Sequence, residues 1–256
     1  MLILLPPSEG KTAPTRGSAL RLESLSFPAL HEPRERVLEA LVSLCSGSTT
    51  EVAAAILGLG PTQLGEIDRN SGLREAPTTR ADRVYSGVLY EALDLPSLSA
   101  PARARASRWL AIASGLFGLL RPADRIPAYR LSGGVSLPDL GPVATHWAQH
   151  LDPIVHEAAG SGLVVDLRSS TYASFWRPGP ALRDRVATVR VLHEADGVRK
   201  VVSHFNKATK GRLVRDLLVD GHAPKRPADL ADQLTGLGWK VDAAGSTRLD
   251  VVVTDL

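Results

Sequence analysis

One cysteine, Cys45, is all that the 256-residue sequence offers, which excludes an internal disulfide and any multi-cysteine zinc or iron–sulfur site. It lies in the apolar stretch VLEALVSLC, a setting for a buried structural thiol rather than a nucleophile. A long hydrophobic run is also missing. The chain opens on apolar residues without a basic segment, and Pro6 and Pro7 interrupt them. Neither a signal peptide nor a membrane-spanning helix is expected, and a cytoplasmic protein without membrane contact is. Net charge is small as well: +3 does not by itself mark a nucleic-acid binder. There is no internal repeat and no G-x-S-x-G nucleophile elbow. His146 and His150 have the i, i+4 spacing of a zinc helix, but Trp-Ala-Gln separates them and no third ligand is identifiable. No metal and no cofactor is expected.

What is present suffices for a sizeable core, with 44% hydrophobic and 22% charged residues. Residues 33–46 carry Val37, Leu38, Leu41, Val42 and Cys45 at helical spacing. Ser48 and Glu51 form a capping-box pattern ahead of a second helix, VAAAILG. Residues 109–120 (WLAIASGLFGLL) read as central core, and 143–159 as a helix interrupted near Pro153. LVVDL (163–167) reads as a buried strand, and VATVRVL with VRKVVSHF as a β-hairpin around Asp196-Gly197. Helical spacing returns at 207–219 and LDVVVTD closes the chain as a strand. Strands and helices mix without a regular βαβ repeat. The expectation is an α+β fold, a mixed central sheet flanked by helices, in one domain over 1–256 with a helical subregion at 33–80.

The opening stretch LLPPSEGKTAP ends in Gly-Lys-Thr, the tail of a phosphate-gripping P-loop. The rest of that motif is absent. Leu5 stands where the first glycine belongs, Pro6 and Pro7 lack N–H donors, and Pro14 and Gly17 oppose a helix after Lys11. The reading is a central strand, Met1–Leu5, leaving through a stiff turn that presents Ser8, Glu9 and Lys11 to an anion.

A second candidate is ILGLGPTQLGEI (56–67). Gly58-Leu59-Gly60 between two helices has the logic of a helix-hairpin-helix element, whose glycines admit a nucleic-acid phosphate to the backbone. An ordinary turn between packed helices is the plain alternative, and Gln63 and Glu66 are poor phosphate partners.

Cations cluster at 103–130 (Arg103, Arg105, Arg108, Arg121, Arg125, Arg130) and at 203–226 (Lys207, Lys210, Arg212, Arg215, Lys225, Arg226). Arg121, Tyr129 and Arg130, then Ser169, Ser170 and Tyr172, then Lys207, Lys210 and Arg212 each follow an expected strand or core run. If those ends converge with Ser8, Glu9 and Lys11, they compose a phosphate-rich binding site. Independent surface loops are the alternative. The specific expectation places Lys11 beside Arg121 and the Ser169–Tyr172 turn, with Lys207 closing the side.

The stretches LLPPSEGKT, DRVYSGVLYEAL, LAIASGLFGLLRPADRIPAYRL, VVDLRSSTYASFW and HFNKATKGRLVRDLL together resemble the YaaA family of bacterial peroxide-stress proteins. Another branch of that family has a shorter S-P-A-K turn at the start. The resemblance implies a cytoplasmic protein that limits oxidative damage, an α+β fold with a helix-hairpin-helix-like element, and a positive cleft for duplex or branched DNA. Carried onto this chain, the hairpin is Gly58 to Pro61, and the cleft candidates are Lys11, Arg121, Arg130, Lys207, Lys210 and Arg212.

Two functions follow, with a non-catalytic interaction protein, of dispersed cations and no cleft, as a third and plainer class. The first is sequence-independent DNA binding through phosphates. The second is an enzyme acting on a small phosphorylated or nucleobase-containing substrate, with Glu9 as general base beside Lys11.

Overall fold

Leu2, Ile3, Leu4 and Leu5 are each fully buried, and the sheet is built outward from them. The computed structural model describes residues 1–195, 198–200 and 203–254, and of 203–205 the backbone alone. The strands of the main sheet are β1 (Leu2–Leu5), β2 (Leu110–Ser114), β3 (Gly118–Leu120), β4 (Val164–Asp166), β5 (Val186–Ala195), β6 (Val198–Lys200), β7 (Lys240–Ala243) and β8 (Arg248–Val253). Their order is β7–β8–β5–β4–β1–β2–β3, with β6 paired to the end of β5.

β1 runs parallel to both neighbours, with Ile3 opposite Leu110 of β2 and Leu2 opposite Val164 of β4. Its unbroken apolar sequence is what a strand covered on both faces requires. β5 is parallel to β4 and β8, whereas β3, β6 and β7 each run antiparallel to a neighbour. The sheet is therefore mixed and the fold α+β. β5 and β6 pair as the expected hairpin strands, Val198 opposite Ala195. The Asp196-Gly197 turn lies outside the described residues.

Helices α1 (His31–Gly47), α2 (Thr50–Leu57), α3 (Gly65–Ser71), α4 (Val88–Leu93) and α5 (Ala100–Trp109) lie between β1 and β2 in the chain. Helices α6 (Val143–Ala148) and α7 (Leu151–Ala159) precede β4, while α8 (Ser203–Asp220) and α9 (Pro227–Gly236) precede β7. One contiguous hydrophobic cluster joins β1, β2 and β4 to side chains of α1, α4 and α8. No helix among the described residues is long and apolar enough to cross a membrane.

Three local expectations are corrected. Thr49, not Ser48, caps α2, its hydroxyl accepting from the Val52 N–H at 3.4 Å. The break within 143–159 falls at Gln149-His150, and Pro153 sits in the first turn of α7, where a missing N–H costs nothing. The strand expected to run through Phe205 yields to α8, which begins at Ser203.

Arginines fasten this framework. A helix leaves its last carbonyls without partners, and cations are favoured there. Arg215 donates to the Leu93 and Asp94 carbonyls at the end of α4, and Arg121 to Arg108 and Leu110 at the end of α5. Arg185 donates to Gly160 and Gly162 after α7, and Arg105 to Leu218 and Val219 in the last turn of α8. Fully buried Arg34 donates to the Phe117 and Leu119 carbonyls beside β3, covering part of an edge strand.

The packing of α8 on α4 supplies a test. A Cβ on Gly211 would lie 2.2 Å from the Leu89 carbonyl oxygen, whereas one on Gly236 meets nothing within 4 Å. Gly211→Ala is expected to destabilise the protein by about 2–3 kcal/mol in urea unfolding, and Gly236→Ala by less than about 0.5 kcal/mol.

Candidate functional site

The strand order reverses at β1. The chain passes first to β2 and β3 on one side, then to β4, β5 and β8 on the other. In open parallel sheets the carboxyl ends of strands beside such a reversal form the natural crevice. Three segments meet there: the turn after β1, the Tyr129-Arg130 stretch that returns to Ser114 at the end of β2, and the loop after β4.

The first is the proline turn. Tyr90 donates its hydroxyl to the Pro6 carbonyl at 2.7 Å, Lys11 forms an isolated antiparallel bridge with Tyr85, and the Thr12 N–H donates to Val84 at 2.8 Å. The turn is thus laced to residues 84–90. The first helical turn after Lys11 is Leu22–Ser24, so no helix follows it as a P-loop demands.

Lys11 is partly buried, and its ammonium lies 4.5 Å from the centre of the Tyr129 ring and 5.7 Å from that of Tyr85. It donates to the Ser8 carbonyl at 3.1 Å and forms no ion pair among the described residues. Burial lowers its pKa from 10.5 to about 8; Glu9 and Glu66 oppose that shift, and Arg130 and Arg69 reinforce it.

All four tyrosines of the chain, Tyr85, Tyr90, Tyr129 and Tyr172, gather around this turn. Tyr85 stacks on Tyr90 with ring centres 5.6 Å apart. The Tyr129 hydroxyl bonds that of Tyr85 at 2.9 Å and the Ser114 hydroxyl at 2.7 Å, and Ser114 in turn accepts the Phe117 N–H. Burial pushes all four phenols up, so they remain protonated hydrogen-bonding groups at neutral pH.

Arg130 completes the centre. It pairs with Glu9 at 2.7 Å, with side-chain exposures of 19% and 59%, so Glu9 is the solvent-facing partner. Its Nε is buried without an acceptor among the described residues. Fully buried Asn70 of α3 holds the Arg130 backbone at both groups, accepting from its N–H at 2.9 Å and donating to its carbonyl at 2.8 Å. Glu66 and Arg69 of α3, paired with each other, face the same turn. The 56–71 stretch therefore positions Arg130. Gly58 ends α2 at φ 64°, Gly60 precedes a short 3-10 turn at Pro61–Gln63, and Leu64 leads into α3. Packed helices joined by this turn are what the geometry supports; a helix-hairpin-helix element is not confirmed.

The expected convergence holds in part. Ser8, Glu9, Lys11, Tyr129, Arg130 and Tyr172 come together, and Ser170 opens the short helix Ser170–Ala173 that carries Tyr172. Arg121 does not join them. It follows β3, which is antiparallel to β2, and so it lies at the opposite end of the sheet, bonded to the Leu110 carbonyl at 2.8 Å. Lys210 donates to the Leu167 carbonyl just past β4 at 2.8 Å. Lys207 and Arg212 are exposed on α8. Tyr85, Tyr90, Ser114, Asn70 and Arg69 are not among the sequence candidates, and Glu66 is weighed there only as a poor phosphate partner. The scarcity of tyrosine, and its confinement to three motif stretches, was the available signal. Surface clefts of about 550 Å³ and 510 Å³ lie elsewhere, the first lined by α1 and Pro138–Leu140, the second around Asp220 and Gln233.

Residues 1–244 match the family model described as peroxide stress protein YaaA. A UPF0246 protein of Streptomyces coelicolor is 50% identical over 262 residues, covering 100% of both chains. A UPF0246 protein of Corynebacterium efficiens is 42% identical over 244 residues, 94% of this chain and 95% of its own. Another from Shewanella loihica is 32% identical over 226 residues, 85% of each.

Lys11 makes stability depend on pH in a definite direction. Its folded pKa, about 8, lies below the ordinary 10.5, so between those values the unfolded chain binds more protons and stability rises with pH. Lys11→Met keeps the stem and removes the charge. It is expected to stabilise the protein by about 1–3 kcal/mol at pH 7 in urea unfolding, with the gain vanishing as pH passes 10.

Proposed function

The chain belongs to the peroxide stress protein YaaA family, and we propose that it serves that response by binding a phosphate group where Lys11 and Arg130 meet. The observation that carries this reading is an excess of donors. The Lys11 ammonium has one acceptor for three N–H groups among the described residues, and the Arg130 Nε–H is buried without one. Buried donors without partners are costly, and an oxygen-rich anion supplies what they lack.

A small phosphorylated ligand fits this arrangement better than a long groove. Lys11 and Arg130 lie within electrostatic reach of each other, and much of the remaining basic sequence is bonded to backbone carbonyls, as at Arg103, Arg105, Arg121, Arg125 and Arg215. If a bond is made or broken, Lys11 and Glu9 are the catalytic pair, with Arg130 holding the phosphate. DNA in the cytoplasm is the second source of the same phosphate. It is favoured by Gly58 and Gly60, whose α-carbons leave room for a backbone phosphate, and by the exposed Lys207 and Arg212.

Calorimetry with pyrophosphate and ATP, set against duplex and junction DNA over a salt series, separates the sources. A small ligand should bind with a shallow salt dependence, and DNA with a steep one. Lys11→Ala and Arg130→Ala are each expected to weaken binding at least tenfold, and Arg121→Ala to leave it unchanged. Absence of binding by every probe at low salt, or full affinity in Lys11→Ala, contradicts the reading.

A further inference from the structure

The donor-rich centre contains a lysine whose surroundings suit covalent chemistry as well as binding. An amine attacks carbonyl carbon only when it is unprotonated, and proteins favour that form by burying lysine and placing other cations beside it. Lys11 meets both conditions. The rings of Tyr129 and Tyr85 keep water from its ammonium while their faces attract the cation, and the guanidiniums of Arg130 and Arg69 repel it. Glu9 and Glu66 face it with opposite effect, and the Tyr85, Tyr129 and Tyr172 phenols stay neutral.

Other lysines lack this setting. Lys210 is also buried, but its Nζ is bonded to the Leu167 carbonyl at 2.8 Å close to Asp166. Lys240 pairs with Glu194 at 3.3 Å, and Lys200, Lys207 and Lys225 are exposed.

We propose that Lys11 is a nucleophilic amine that condenses with the aldehyde of a small phosphorylated compound. This rests on the phosphate reading above and adds a substrate class to it. Nζ forms a bond to the carbonyl carbon, giving a carbinolamine. Loss of the carbinolamine oxygen as water then leaves a carbon–nitrogen double bond. The amine's two protons leave with that oxygen, so no oxidant or reductant takes part. Arg130 holds the phosphate, and Glu9, the carboxylate in the same turn, carries protons between the amine and the departing oxygen. Tyr129 packs under the amine and fixes its approach.

Borohydride trapping with glycolaldehyde phosphate tests this in the full-length protein, with adducts located by peptide mass spectrometry and binding of the same probe measured by calorimetry. One adduct per chain is expected, on Lys11, forming at least tenfold faster than on Lys207 or Lys225. Its rate should rise with pH and level off above about 8, where burial places the Lys11 titration. Inorganic phosphate should slow it. Lys11→Arg should abolish it while retaining the wild-type melting temperature within a few degrees. Binding of the probe without a Lys11 adduct overturns the nucleophile and leaves the phosphate site standing. A Lys11 adduct that forms equally fast with unphosphorylated glycolaldehyde and ignores phosphate does the reverse. Equal labelling of Lys11, Lys207 and Lys225 refutes special reactivity.

Discussion

A strand that is buried on both faces and paired along both edges has nowhere to slide, and β1 is held in that way. Its four apolar side chains are fully covered, and β2 and β4 occupy its two edges in parallel register. Burying each such side chain contributes about 1.5–3 kcal/mol, enough for this short segment to outweigh the cost of an unfavourable group at its end. That group is Lys11. The prolines stiffen the exit and the contacts to Tyr85 and Tyr90 fix its direction, so a lysine is held beside aromatic rings it would otherwise leave for water. The position of the candidate site is thus a consequence of core packing.

Besides pairing with carboxylates, as Arg168 does with Asp166 and Arg190 with Asp250, arginine has two further uses in this protein. At helix ends it satisfies backbone carbonyls, as Arg105, Arg121, Arg185 and Arg215 do. At the carboxyl ends of the central strands it remains under-supplied with acceptors, as at Arg130. The first use stabilises helices by completing their hydrogen bonding. The second stores a demand that an anion meets. Net charge does not distinguish them, because the sign and the count are the same in both. Partner geometry does.

This difference explains what was legible in the sequence. β1 could be read directly, because an unbroken apolar run that stops at two prolines leaves few alternatives. Rejection of the P-loop followed from the same prolines. The helix α1 was plain from its periodicity, with Val37, Leu38, Leu41 and Cys45 all buried. Arg121 was misplaced because its fate depends on β3 turning back along β2, a tertiary event that no local pattern encodes. Asn70 was invisible for a similar reason: its partner, the Arg130 backbone, lies sixty residues away. The glycine turn at Gly58 looked like a ligand-binding device, yet the helix after it, α3, supplies the residue that holds Arg130 in place. Tyr129 and Tyr172 were among the candidates, but Tyr85 and Tyr90 were not, and the scarcity that unites all four was the missed clue. A residue type used four times, and every time at one place, carried more information than the commoner cations did.

The central claim is that the fold holds the Lys11 ammonium in surroundings that make it a poor cation. Heteronuclear NMR titration of selectively labelled lysine side chains measures this directly. A Lys11 midpoint near 8, well below that of exposed Lys225, is expected, with a rise toward the ordinary value when phosphate is bound. A Lys11 midpoint of about 10.5, indistinguishable from Lys225 and indifferent to phosphate, would contradict it.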